Sequence, residues 1–175
     1  VSRAAFRSLG LALGLVLGSG AHILAAQEGI PPATVVYLVR HAEKVDESSD
    51  PDLSEAGRAR AAELARFLGE AGVAAVFSSD FKRTRRTAEP LATTLGLPVE
   101  TYDPRDPTTT AHTLRSRGGT ILVVGHSNTV PGLVLALGGG PVSAIEDAEY
   151  DRLYIVVLTG NQVTTTLLRY GAPSP

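Results

Sequence analysis

Val35-Val36-Tyr37-Leu38-Val39-Arg40-His41-Ala42-Glu43-Lys44 is the stretch that decides the fold. Its first five residues are apolar, most of them β-branched, with no polar–apolar alternation. That pattern predicts a short strand over Val35–Val39 buried on both faces, as in a parallel sheet covered by helices. The run ends in an arginine, a histidine and a glutamate, for which the end of a buried strand has no packing use. In open α/β sheets, ligands bind beyond the carboxyl ends of strands. Arg40 and His41 therefore mark a candidate site.

Two further apolar runs end in the same way. Val73–Phe77 closes on Ser78-Ser79-Asp80, and Thr120–Gly125 closes on His126-Ser127-Asn128. Helical patterns separate the strands. Ser54 is a candidate N-cap with Glu55 in the first turn. Ala61, Leu64, Ala65 and Leu68 then form one apolar stripe, ended by Gly69 and Gly72. Lys82 to Leu95 repeats the pattern with Ala88, Leu91, Ala92 and Leu95. Pro90 is expected to disturb that helix, because it cannot donate to the Arg86 carbonyl. Val99–Tyr102 reads as a strand. Asp106-Pro107 starts a helix reaching Arg117, and another helix, with Pro131 in its first turn, runs up to Gly138-Gly139-Gly140. Leu153–Leu158 and Val163–Leu168 form a hairpin across Gly160-Asn161. Strands alternating with helices and closed by a hairpin predict a three-layer α/β/α sandwich. Its central sheet is mostly parallel, with an antiparallel edge hairpin.

A chain of 175 residues is expected to hold one such domain, over residues 35–171, entered through a linker at 27–34 that contains Pro31-Pro32. Residues 1–26 differ from the rest. Arg3 and Arg7 precede the apolar run Leu9–Leu17, small residues follow, and no acid appears before Glu28. This is the pattern of a signal peptide, or of an uncleaved N-terminal anchor. The domain is expected to be exported, periplasmic or secreted, with contact to a membrane only through that segment. Without Arg3 and Arg7, 14 of the 16 basic residues remain against 18 acidic ones. A net acidic domain argues against nucleic-acid binding. The absence of cysteine excludes disulfides, thiol catalysis and thiolate metal sites.

If the three strands are parallel, their ends share one edge. Two histidines and at least two arginines then face one crevice, an arrangement suited to a dianionic phosphoryl group. Arginine offers a planar fork matched to phosphate oxygens. Helix N-termini add backbone donors. The cations from Lys82 to Arg86 oppose the dipole of the helix they begin, at a few tenths of a kcal/mol each. A bound anion would offset that. A neutral imidazole can attack phosphorus, neighbouring arginines keep it neutral, and a hydrogen bond to its other nitrogen sets the tautomer. His41 is the candidate nucleophile. His112, mid-helix, reads as a packing residue, and His22 lies in the leader.

These segments resemble the histidine phosphatase (phosphoglycerate mutase-like) superfamily. Leu38 to Lys44 is similar to its Arg-His-Gly signature, with Ala42 in place of the usual glycine. Leu53-Ser54-Glu55-Ala56-Gly57 resembles its Leu-Thr-x-x-Gly helix start. Ser79 to Ala88 resembles its Ser-x-x-x-Arg-x-x-x-Thr-Ala segment, and Val124-Gly125-His126-Ser127 its second-histidine motif. The resemblance implies a catalytic core of Arg40, His41, Arg83 and His126. His41 is then the nucleophile, the other three bind phosphoryl oxygens, and no metal or cofactor takes part. Ser127 and Asn128, beside the second histidine, are further candidates for substrate binding. For the general acid, the sequence offers Glu43 first and Asp103 second, with Asp106 as a third choice that doubles as a helix cap. Glu43 could equally hold Arg83 or Lys44.

The reading is a metal-independent phosphomonoester hydrolase that forms a phosphohistidine. Its expected partners are a phosphorylated small molecule, an envelope sugar phosphate or a phosphoprotein. The short loops predict an open, shallow site. The alternatives are a non-catalytic phosphate-binding module of the same fold and a phosphoglycerate mutase-type phosphotransferase. A serine hydrolase fits poorly: Gly125-His126-Ser127-Asn128-Thr129 lacks the last glycine of the nucleophile elbow, and no histidine follows Ser127. A metal phosphatase lacks any H-x-H or H-E-x-x-H spacing.

Overall fold

The computed structural model describes residues 33–174. The leader at residues 1–26, with His22, and residues 27–32 of the linker lie outside them. The described residues form six strands and four helices, in the order β1 (Thr34–Arg40), α1 (Glu55–Leu68), β2 (Val73–Ser78), α2 (Lys82–Leu95), β3 (Val99–Thr101), α3 (Pro107–Arg117), β4 (Thr120–Gly125), α4 (Val130–Ala136), β5 (Arg152–Thr159) and β6 (Gln162–Arg169). The sheet order is β3-β2-β4-β1-β5-β6. The first four strands in that order are parallel, and β5 and β6 pair antiparallel at one edge. This is the expected α/β sandwich with a mixed sheet.

The unbroken apolar runs have the cause assigned to them. In β4, Ile121 and Val123 face a core built with Ala111 and Leu114 of α3 and with Leu133 and Val134 of α4. Leu122 and Val124 face the opposite core, with Leu64 and Leu68 of α1 and Leu91 of α2. Side chains alternate across a strand, so a central strand covered on both faces must be apolar throughout.

Local signals set the helix boundaries. The Ser54 side chain accepts from the Gly57 N–H, and the Asp106 side chain accepts from the Thr109 N–H. Gly96, at φ 67°, closes α2 in the left-handed region. Pro90 sits inside α2 without ending it. α4 is shorter than expected and stops at Ala136, before the glycine run. Gly57 serves a packing purpose: a Cβ there would overlap the Glu43 carbonyl oxygen. The start of α1 therefore lies directly on the loop that follows β1.

Candidate active site

Strand register builds the site. Arg40 pairs with Gly125 across β1 and β4, and the His41 N–H donates to the Gly125 carbonyl at 2.8 Å. The residues that follow each strand, His41 and His126, are thereby brought together, their ring centroids 5.4 Å apart and nearly edge to face. Both rings are buried, as is Arg40, with exposures of 4%, 8% and 5% for His41, His126 and Arg40. β2 lies on the other side of β4 and brings Ser79, also buried, to the same edge.

Hydrogen bonds fix both tautomers. Nδ1 of His41 lies 2.8 Å from the Ala42 carbonyl. A carbonyl only accepts, so Nδ1 carries the proton and Nε2 keeps a free lone pair. Around His126 the order is reversed. Arg83 Nη2 can only donate, and it faces Nδ1 at 3.4 Å. The proton therefore sits on Nε2, which donates to Ser79 Oγ at 2.8 Å. Ser79 Oγ donates in turn to Thr84 Oγ1 at 3.0 Å. Burial, reinforced by the charges of Arg40 and Arg83, pushes the His41 imidazole down to about 3 against a hydrogen bond to Ala42 that favours the charged form. Burial, then Arg83 and Arg40, pushes His126 down to about 4. Both rings are neutral at ordinary pH.

Arg40 is held by a loop for which the sequence has no motif. Its Nη1 donates to the carbonyls of Glu146, Asp147 and Glu149 at 2.8, 3.0 and 3.0 Å. Its guanidinium lies 4.1 Å over the Tyr150 ring. That loop is itself tied down. Glu149 accepts from Arg152 and Arg169 and from the Glu146 N–H, and Arg152 also reaches Ser143 and Tyr154. Arg83 lies 4.4 Å over the Phe81 ring. Nε of Arg40 and Nε of Arg83 are buried and bonded to no protein group. Arg40, His41, Arg83 and His126 all line one small pocket of about 230 Å³, together with Ser127, Asn128 and Asp147. The sequence-predicted core is thus in one place, and so are the two candidate substrate-binding residues.

The carboxylates are placed differently from the sequence reading. Both oxygens of Glu43 accept from Arg60 at 2.7 to 3.1 Å, and Arg60 also donates to the carbonyls of Tyr170 and Ala172. Glu43 therefore holds Arg60, not Arg83 or Lys44, and does not line the pocket. It ties α1 and the chain after β6 to the β1 loop. Asp103 is bonded through both oxygens to Arg105, which holds its carboxyl below the usual range. Asp106 serves as the α3 cap, its carboxyl likewise lowered by Thr109. The cationic start of α2 has a resident anion: the Lys82 N–H donates to Asp50 Oδ1 at 2.9 Å, and the same oxygen lies 3.9 Å from Arg83. That pairing offsets the dipole conflict without any ligand.

Among the described residues, no group of three or more histidines, aspartates and glutamates is placed to hold a metal ion. What the arrangement can do is bind one compact anion. Two guanidiniums flank a neutral imidazole whose lone pair is free.

Residues 36–104 match the family model of the histidine phosphatase superfamily (branch 1). The chain is 39% identical over 77 residues to a probable phosphoglycerate mutase, GpmB, of Erwinia tasmaniensis, a match covering 40% of this chain and 35% of that protein. It spans about a third of the length of the curated relatives it matches. Among solved structures, the protein histidine phosphatase SixA complexed with tungstate superimposes with a TM-score of 0.60 at 22% identity, covering 79% of this chain and 97% of that one. Mycobacterial glucosyl-3-phosphoglycerate phosphatase Rv2419c superimposes with a TM-score of 0.59 at 17% identity, covering 80% and 99%. At these identities the structural likeness is one of fold.

Proposed function

From residues 36–104, which carry the histidine phosphatase signature on the fold of that superfamily, we propose that this chain is a metal-independent phosphomonoester hydrolase working through a phosphohistidine on His41. The observation that carries this reading is the meeting of Arg40, Arg83 and His126 in one pocket with a neutral imidazole that has Nε2 free. Guanidinium forks match the oxygens of a phosphoryl group.

In the first step the Nε2 lone pair of His41 forms an N–P bond while the ester P–O bond breaks. Its electron pair leaves on the alcohol oxygen, which takes up a proton. Arg40, Arg83 and His126 hold the equatorial oxygens, where charge accumulates in the transition state. Asp147 is the acidic residue among those lining the pocket, and we assign it the proton transfer. It gives its proton to the leaving oxygen and then takes one from the water that attacks phosphorus, breaking the P–N bond and returning the lone pair to Nε2. The Ser79–His126 bond keeps His126 oriented. The extracytoplasmic setting of this reading rests on the pattern of residues 1–26 alone.

The test is hydrolysis of an aryl phosphate by the domain in EDTA, alongside His41→Ala, with the protein quenched and probed for acid-labile phosphate. Turnover and label in the wild type, with neither in the variant, is the expected result. Activity lost in EDTA would replace this mechanism with a metal-dependent one. Phosphate binding without turnover would make the chain a binding module.

A further inference from the structure

We infer that the leaving group of the substrate is an uncharged alcohol bearing a flat ring, held in the cleft beside the phosphoryl pocket. The inference rests on the hydrolase reading and names its substrate class. The cleft, about 700 Å³ in volume, shares Arg83, His126 and Asn128 with the phosphoryl pocket. A group esterified to a phosphoryl bound there extends directly into it, and the volume lies in the range of small-molecule sites.

Phe81, Tyr102 and Pro104 give the cleft an apolar part, already ordered. Phe81 stands edge-on to His126, with centroids 5.1 Å apart, and lies beneath the Arg83 guanidinium. Tyr102 packs against the α3–α4 core and donates its hydroxyl to the Val124 carbonyl at 3.4 Å. Pro104 completes the apolar lining. Aromatic surface held in place by these contacts favours a ring, with little entropy left to lose.

Charge argues the same way. Apart from Arg83, which belongs to the phosphoryl pocket, the cation on this cleft is Arg105, and both its Nε and Nη2 are engaged by Asp103 at 3.0 Å. Asp80, also on the wall, is paired with Arg85. The charges on this wall are thus already paired, and a second phosphate or a carboxylate on the leaving group would find no free cation there. The cleft therefore disfavours bisphosphates and phosphoglycerate-type esters.

The experiment compares kcat/KM for benzyl phosphate, glycerol 3-phosphate and 3-phosphoglycerate, whose leaving groups are all alkyl alcohols, so that leaving-group reactivity does not decide the order. Benzyl phosphate is expected to lead 3-phosphoglycerate by about tenfold or more, with glycerol 3-phosphate between them. Pro104→Lys adds an unpaired cation to the wall, at a position with no N–H to lose, and should shrink the benzyl to phosphoglycerate ratio about fivefold. Equal or reversed preference, with phosphohistidine still formed, overturns the substrate class and leaves the hydrolase reading intact. A ratio that Pro104→Lys does not move places the ring elsewhere and also overturns it. If no ester phosphorylates His41, the hydrolase reading fails and the substrate class with it.

Discussion

Replacing His41 by asparagine should spare much of the stability that mild acid takes from the ligand-free protein. In an unfolded chain an imidazole titrates near 6.5, whereas burial beside Arg40 holds the His41 ring at about 3 in the fold. Between those two values the unfolded state binds a proton that the folded state does not. Stability therefore rises with pH across that window and falls on acidification, by about 1.4 kcal/mol per pH unit once well below the unfolded value. From pH 6.5 to 4.5, His41 alone should remove about 2 kcal/mol. His126, held at about 4, acts in the same direction. Carboxylates with depressed values, such as Asp103, Asp106, Asp151 and Glu149, lose most of their contribution as pH falls below about 4 and are common to both proteins, so the difference between the two curves isolates His41. Asparagine does not titrate, and its amide N–H can replace the Nδ1–H donor to the Ala42 carbonyl. The assay is urea unfolding of both proteins at half-unit steps of pH in phosphate-free buffer. The variant should gain about 2 kcal/mol on the wild type between pH 6.5 and 4.5. Parallel curves would mean that His41 is not held neutral, and the case for a free Nε2 nucleophile would fall.

Arg83→Ala removes a half-buried guanidinium whose ion partner, Asp50, is 3.9 Å away. It should lower kcat/KM about 10²- to 10³-fold with little change in melting temperature; a loss under tenfold would remove Arg83 from the transition state. Asp147→Asn should slow hydrolysis of alkyl phosphates far more than of p-nitrophenyl phosphate, whose leaving group needs no proton; equal losses on both would deny Asp147 the proton transfer. Arg152→Ala should loosen the loop that holds Arg40 and raise KM about tenfold with a smaller fall in kcat, and Arg152→Lys should restore part of the loss; an unchanged KM would separate that loop from Arg40. Gly57→Ala should destabilise by about 1–3 kcal/mol in thermal melts, because the new Cβ overlaps the Glu43 carbonyl. A gain instead, from the better helix propensity of alanine, would show that α1 can shift off that loop.

The elements and the four core residues were legible because their causes are local. Strands covered on both faces must be apolar, so β1 and β4 announce themselves, and residues such as His41 and His126 stand out only against such a background. Caps at Ser54 and Asp106 depend on residues three positions away. The hold on Arg40 has no such signal. Three backbone carbonyls supply it, from a loop far along the chain, and any residue type carries a carbonyl. Shape sets that contact, and side-chain identity at positions 146–149 does not encode it. Asp50 was hidden for a related reason, since its role as cap of α2 depends on how the loop after β1 folds back.

Glu43 shows where a signal existed and what it meant. It stands two residues past the nucleophile, which invites a catalytic role, but its partner can be read from the helix that follows. Arg60, Leu64 and Leu68 are spaced four apart and so share one face of α1, the face that is buried. A guanidinium on that face must meet a carboxylate or be left unpaired in the interior, at several kcal/mol. Gly57, one turn earlier, brings the same face onto the Glu43 backbone. The one charged residue in an apolar stripe therefore points to the nearest acid on the adjoining loop, and Glu43 is taken before catalysis can use it. Asp103 is likewise taken by Arg105 and Asp106 by its cap, and the proposed acid, Asp147, lies on the loop that grips Arg40. Phosphoryl binding and leaving-group protonation would then depend on one short, self-tied segment, so that a change which frees Arg40 should also misplace the acid.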